Sequence, residues 1–431
     1  MARRLNAADK GFEAEFALLI ETGRDVDEDV SHRVQGIIAE VRAQGDAALI
    51  ALSRRYDGVE LTPQTLRVSQ ADIAAAEEGC GEDVKDALRL AASRIEAYHR
   101  RQLPSDESFT DETGAKLGWR WRALSSVGLY VPGGTASYPS SVLMNAVPAR
   151  VAGVTRVVMV TPASGGAINP LTLVAAKIAG VSEIYRVGGA QAVAALAYGT
   201  ASIAPVDKIV GPGNSYVAAA KREVFGRVGI DSIAGPSEIL VVADGANDPA
   251  WIAADLLSQA EHDASSQSIL ITDDAAFADS VAAEVERQLA GLARRDIAAR
   301  SWRENGAIIV VPKLDDAAAL ADRIAPEHLE IATADPQRLF AQVKHAGAIF
   351  LGRYTPEAIG DYIAGPNHVL PTSRTARFSS GLSVLDFLKR TTVLACDAEA
   401  LSRLGPVALA LAEAEGLSAH GRSIAIRLNR K

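Results

Sequence analysis

Residues 155–199 read "TRVVMVTPASGGAINPLTLVAAKIAGVSEIYRVGGAQAVAALAYG". Two short β-branched runs, "TRVVMV" and "EIYRV", each lead through small residues into an alanine-rich run with helical spacing. Strand–helix–strand–helix order predicts parallel strands joined by helical crossovers. Downstream, "KIVGPG" (208–213) followed by "SYVAAAKREVFG" repeats the pattern. A second series begins at "SEILVVAD" (237–244). It continues through the helical "PAWIAADLLSQAEHD" (249–263) and the strands "SILITDD", "GAIIVVP" and "AIFLGRY". Two separate runs of this kind predict an α/β protein with two doubly wound domains and a crevice between them.

Upstream the chain changes character. "VSHRVQGIIAEVRAQGDAALIALSRRYDG" (30–58) spaces its apolar residues three or four apart and stops at a glycine, as a helical stretch does. "ADIAAAEEG" and "DVKDALRLAASRIEAYHRRQ" continue the helical pattern, and "LGWRWRALSSVGLYVPGG" (117–134) turns strand-like. The tail "LGPVALALAEAEGLSAHGRSIAIRL" (404–428) reads as an amphipathic helix broken near Gly416. It is too small to fold alone, so it must pack on the rest of the chain or on a second subunit.

The 431 residues are 48% hydrophobic and 23% charged, which is ordinary globular composition. The net charge of −9 and the lack of a basic run speak against nucleic acid as a partner. The N-terminus carries no apolar stretch of a secretory signal, and no run of apolar residues is long enough to span a membrane. Cys80 and Cys396, far apart and without ligand spacing, fit a reducing cytoplasm.

Four short stretches carry titratable groups that could do chemistry. In "SQAEHD" (258–263), Gln259 and His262 are three apart on a predicted helix and share a face, a spacing that suits two ligands of one metal. Asp255 lies on the same face, so spacing alone leaves open which residues bind, or whether the face is simply solvated. In "APEHLEI" (325–331), Pro326 and Glu327 are acceptable as a helix start. Equally, Glu327 and His328 are acceptable as a carboxylate beside a general base. "GDYIAGPNHVLPT" (360–372) sets Asp361 and His368 in a Gly/Pro-rich loop, and "AEAEGLSAH" (412–420) brings Glu415 and His420. Glycine-rich turns at "YVPGG", "VGGAQA" and "GPGNSY" let backbone approach a ligand closely, although none is a G-x-G-x-x-G fingerprint. His32, His99, His345 and the two cysteines read as surface or packing residues.

Together these pieces resemble the histidinol dehydrogenase family. The resemblance is carried, in family order from about residue 127 to 420, by "VGLYVPGGTASYPSSVLMNAVPA", "VGGAQAVAALAYGT", "VDKIVGPGN", "GPSEILVVAD", "LLSQAEHD", "PEHLEI", "GPNHVLPT" and "AEAEGLSAH". It implies a homodimeric enzyme that oxidises L-histidinol to L-histidine with two NAD⁺ and one Zn²⁺ per subunit. It implies zinc ligands at Gln259, His262, Asp361 and His420, with His328 as the base and Glu327 as its acidic neighbour. Substrate contacts are implied at Ser237 and Glu415 together with the metal-site residues and His328, and dinucleotide contacts at Tyr130, Gln191 and Asn214. His420 and Glu415 would reach the partner's site on a crossing C-terminal segment.

The architecture expected is two incomplete Rossmann-like doubly wound domains with small helical N-terminal and C-terminal dimerisation pieces. The expected division is an N-terminal helical segment (1–24), a discontinuous metal-binding and catalytic α/β domain (25–108 with 237–381), a dinucleotide-contacting α/β domain (109–236) and a C-terminal dimerisation segment (382–431). A related zinc- and NAD-dependent dehydrogenase acting on another small hydroxyl compound is the alternative. Glu415 favours histidinol, because a carboxylate grips a cationic amine or an imidazole N–H. A non-enzymatic binding protein on the same scaffold would have no need of both Glu327 and His328.

Overall fold

The computed structural model describes residues 2–21, 28–133, 138–233 and 235–429. Within them lie strands β1 (Arg3–Asn6), β2 (Glu107–Thr110), β3 (Lys116–Ala123), β4 (Ser126–Tyr130), β5 (Arg156–Val160), β6 (Glu183–Tyr185) and β7 (Lys208–Val210). The later strands are β8 (Gly229–Ile230), β9 (Glu238–Ala243), β10 (Gln267–Thr272), β11 (Ala307–Val310), β12 (His328–Ala332), β13 (Ala348–Leu351) and β14 (Leu388–Ala395).

The opening stretch forms β5, a helix Pro170–Ala179, β6 and a helix Gly189–Tyr198. Local chemistry sets the bounds of the first helix. Asn169 caps it by accepting from the Leu171 N–H, Pro170 occupies its first turn, and Gly180 ends it in a left-handed conformation. The resulting sheet is all-parallel in the order β6-β5-β4-β7-β8. Numbered along the chain within that sheet, the order is 3-2-1-4-5, that of a Rossmann half. The second series builds a parallel sheet in the order β1-β11-β10-β9-β12-β13. Without β1 it is again 3-2-1-4-5. Both predicted doubly wound units are therefore present.

The N-terminal residues divide differently from expectation. Residues 1–24 were expected to be helical, but they begin with β1, which extends the edge of the second sheet, before the helix Phe12–Glu21. The 24/25 boundary itself lies outside the described residues. The predicted helical run 30–58 is two helices, Glu28–Gln44 and Asp46–Asp57, separated at Gly45. These pack on the five-stranded sheet, where Val34, Leu49 and Leu52 share a core with Val158, Val160 and Ile209. On the other side of that sheet, the helices Gln70–Gly79 and Glu82–Arg100 form an outer layer packed on the helices Pro139–Ala152 and Pro170–Ala179. The expected grouping of 25–108 with 237–381 is thus not how the cores divide. At about 1.5–3 kcal/mol per buried aliphatic side chain, the larger shared core decides where these helices belong.

β14 pairs antiparallel with β3, and β3 with β2, forming a small separate sheet that anchors the start of the tail. The helices Ala398–Ala414 and Ser418–Ala425 follow it. No described helix is long and apolar enough to cross a membrane. His99 is a packing residue, buried with its ring on the Ile95 carbonyl oxygen at 2.8 Å.

Candidate active site

β9 and β12 are neighbours at the point where strand order reverses in the six-stranded sheet, with His328 opposite Ile239. Ligands of such sheets usually bind beyond the carboxyl ends of the strands. Here the chemistry gathers at the amino ends. The helix Asp316–Ile324 ends in a left-handed Ala325, and Pro326 and Glu327 then lead directly into β12. The reading of Pro326–Glu327 as a helix start is therefore wrong. Alternation along "HLEIA" points Leu329 and Ile331 into one core and puts His328, Glu330 and Ala332 on the other face, the face on which Ala332 packs with the helix Pro249–Ala260.

The backbone of one residue, Glu238, holds both members of the candidate pair. The Glu238 N–H donates to Glu327 Oε2 at 2.9 Å. The Glu238 carbonyl oxygen lies 3.0 Å from His328 Nδ1, which must therefore carry the proton and donate it. His328 Nε2 is left as the basic atom, buried and without a hydrogen-bond partner. It lies 3.7 Å from Glu357 Oε1 and 3.9 Å from Asp361 Oδ1. Burial pulls the His328 pKa down to about 4, so the ring is neutral and able to accept a proton at pH 7. Burial, and then the charges of Glu238, Glu357 and Asp361, push the Glu327 carboxyl well above its ordinary range, against the Glu238 N–H bond.

Asp361 sits in the helix Glu357–Tyr362 rather than in the predicted loop. Glu330 Oε1 accepts from the Glu357 N–H at 2.6 Å, and Ser258 Oγ lies 3.3 Å from Glu357 Oε2. His368 Nδ1 is 3.7 Å from Asp361 Oδ1, so His368 belongs to the cluster. The helix carrying Gln259 stops at Ala260, and His262 lies in the turn beyond it, exposed. It still stands near enough to lower the basicity of both His328 and His368. Gln259 is fully buried, and neither amide atom has a hydrogen-bond partner. A buried amide left in that state is costly unless a ligand completes it.

Asp255 is paired with Glu330, and burial pushes both carboxyls up, Glu330 well above its ordinary range. Burial raises the Asp255 pKa to about 6, above its value of 3.8 in an unperturbed chain. A raised folded-state value means stabilisation that is complete below the unfolded pKa and lost as pH rises through the folded one. Asp255→Asn, neutral at every pH and still able to bond Glu330, should raise Tm at pH 8 and change it much less at pH 5. Thermal unfolding at the two pH values checks this, and an equal shift at both would count against the acid pair.

The expected dinucleotide residues cluster on the other sheet, at its carboxyl edge. Tyr130 ends β4 and accepts from the Gly189 N–H at 3.0 Å. Burial pushes its hydroxyl pKa up to about 12. Gln191 is buried in the turn of helix that follows, and Asn214 caps the helix Ser215–Val224. Gly211, just after β7, has φ 110° and lies against the Tyr130 carbonyl, where a Cβ would collide. β4 and β7 flank the switch point of this sheet, the usual crevice for a ligand. In the motif after Tyr130, residues 134–137 lie outside those described. Downstream, Asn367 Nδ2 donates to the Met144 carbonyl oxygen at 2.6 Å, which joins the helix after β4 to the loop that carries His368.

Ser237 sits beside Glu238 at the same amino edge as Glu327 and His328. Glu415 and His420 do not join them: both are exposed, and among the described residues neither side chain makes a hydrogen bond or ion pair. The sequence reading overlooked Glu238, Glu330 and Glu357. Two signals were available: a charged residue at every other position of a buried strand, and a carboxylate four residues before Asp361.

A neutral buried imidazole among carboxyls, on a scaffold of two Rossmann-type parallel sheets, is the equipment of an α/β enzyme that moves protons. The histidinol dehydrogenase family model matches residues 21–428. Histidinol dehydrogenase of Rhizobium meliloti is 63% identical over 429 residues, spanning 100% of this chain and 99% of that protein. The enzyme of Rhodospirillum rubrum is 64% identical, again over 100% of this chain and 99% of that one. A crystal structure of histidinol dehydrogenase from Elizabethkingia anophelis superposes with a TM-score of 0.94 at 36% identity, covering 99% of this chain and 98% of that one. The chain belongs to the histidinol dehydrogenase family.

Proposed function

We propose that this protein oxidises L-histidinol to L-histidine through L-histidinaldehyde with two NAD⁺, the last step of histidine biosynthesis, in the cytoplasm. The observation that carries the reading is the Glu238 backbone holding Glu327 and His328 together in a family member matched over nearly its whole length. His328 Nε2 takes the alcohol proton as the first hydride leaves the substrate carbon. Water adds to the aldehyde, Glu327 orients and deprotonates it, and the second hydride leaves. The buried edge keeps the reactive aldehyde from other nucleophiles.

The donor set fits a zinc ion. Gln259 offers an unpartnered buried oxygen, and His262, Asp361 and His420 of the partner subunit would complete four N/O ligands. A bound dication would grip the substrate's amine and imidazole and return the nearby carboxyls to their ionised forms. Tyr130, Gln191 and Asn214 line the crevice assigned to the dinucleotide, and Ser237 and Glu415 are assigned to the substrate, beside Gln259, His262, His328, Asp361 and His420. A dimer is supported by the tail, whose helix leaves Val407 62% and Leu411 61% exposed. A second reading has an observation of its own. The ligating atoms of His328, Glu357 and Asp361 lie within 4.8 Å of one another, which would make His328 a metal ligand.

The test is NADH yield from limiting L-histidinol, before and after chelation. Two NADH per substrate, lost on chelation and restored by zinc, are expected. One NADH per substrate would mean a simple alcohol dehydrogenase, and no reaction would refute the substrate.

A further inference from the structure

The loop that follows His368 presses on the two peptides that carry the catalytic pair. Gly347 lies between Pro371 and the Glu327 carbonyl oxygen, which leaves no room there for a Cβ. Thr372 is buried, and its Oγ1 accepts from the Gly235 N–H at 2.6 Å. The Ser373 N–H donates to Glu238 Oε1 at 3.0 Å. Gly235 lies close against this loop, where a Cβ would displace the Ser373 hydroxyl. Thr372 is held in turn by Thr375, whose N–H and Oγ both donate to its carbonyl oxygen, at 3.0 and 2.7 Å.

The loop is also strained. Ser373 (φ 53°) and Arg374 (φ 62°) are consecutive left-handed residues, and neither is glycine. Such a conformation persists only where its surroundings over-determine it, and it gathers at functional sites.

We propose that Thr372–Arg374 is a clasp, and that the Glu238 side chain is a positioning residue through which the clasp sets the catalytic pair. Ser373 fixes the Glu238 carboxylate, and Thr372 fixes the strand entrance at Gly235. Between these two anchors the Glu238 backbone is held in one orientation. Its carbonyl fixes the His328 tautomer, and its N–H fixes the Glu327 carboxyl. The clasp therefore decides which imidazole nitrogen faces the substrate, without touching the substrate itself.

This inference rests on the reading of Glu327 and His328 as the catalytic pair. Its test compares Glu238→Ala with Glu238→Gln. Both remove the same charge, but only glutamine keeps an oxygen to accept from Ser373. Glu238→Ala should lower kcat for L-histidinol about 10- to 100-fold, with a much smaller change in KM. It should also displace the acid limb of the kcat/KM pH profile. Glu238→Gln should recover most of the rate and the original profile. Equal impairment of both variants would assign the effect to charge and overturn the clasp, as would a Glu238→Ala profile matching the parent. If Glu238→Ala does not fold by circular dichroism, Thr372→Val removes the other anchor and is read against the same pH profile. Measured alongside, an inactive His328→Asn with a parent-like Glu238→Ala sinks the clasp alone. An active His328→Asn sinks the underlying reading and the clasp with it.

Discussion

Replacing His328 with Asn should lower the rate of L-histidinol oxidation by about 10²- to 10⁴-fold, the usual contribution of a general base, and leave bound zinc at parental stoichiometry. Asparagine is the informative substitution. Its side-chain N–H can still donate to the Glu238 carbonyl oxygen, which the imidazole now holds at 3.0 Å. The basic Nε2 is lost and little else. A rapid-mixing measurement would show no burst of NADH in the first turnover, because the first hydride cannot leave while the alcohol keeps its proton. The competing reading makes a different forecast. If His328 ligates the metal with Glu357 and Asp361, zinc content should fall together with activity. Metal analysis of the purified variant separates the two. A normal first-turnover burst would remove His328 from the chemistry altogether. The buried, partnerless Gln259 amide favours the first outcome, because it offers a donor for which the competing set has no use.

The same residues show what a sequence discloses and what it withholds. Between "TRVVMV" and "AIFLGRY", periodicity predicted the strands of the two parallel sheets except β8 and β12, because buried β-branched runs flanked by small residues have few other outcomes. It did not tell which sheet the helices 28–100 cover. Their amphipathic stripes are satisfied by any apolar face, and only the three-dimensional packing of Val34, Leu49 and Leu52 selects one. The pair Glu327–His328 was visible as adjacent letters, yet its meaning depended on a strand start that local signals disguised as a helix start. Proline is as acceptable before a strand as in the first turn of a helix. Glu238 was hidden in the sequence. It meets the pair through its backbone, and any residue type offers an N–H and a carbonyl, while the partner of its side chain, the Ser373 N–H, lies 135 residues away. Glu330 and Glu357 were hidden for a different reason. Isolated carboxylates in a sequence look solvated, and only packing reveals that desolvation has raised their pKa values well above the ordinary range.

Mixing His262→Ala and His420→Ala subunits, each inactive alone, should restore about one quarter of parental activity, since random pairing makes half the dimers mixed and each mixed dimer holds one whole site. The argument begins with where the two histidines lie. His262 is close to His328 and His368 at the amino edge of the six-stranded sheet. His420 is on the helix Ser418–Ala425, exposed and with no side-chain partner among the described residues. If His420 belonged to the site of its own chain, folding would have had to bring it there, and the tail instead follows β14 in the separate three-stranded sheet. Exposed Leu404, Val407, Leu411 and Ile426 on the tail leave apolar surface for a second copy to bury. In a mixed dimer one site would lack both histidines and the other would have both, so recovery requires sharing and cannot come from either chain by itself. Dissociation and reassociation, with tagged subunits to verify that mixed dimers form, make the result decisive. Verified mixed dimers without activity would place His420 outside the partner's site and return the fourth ligand to residues of the same chain, with Glu357 the nearest unused carboxylate.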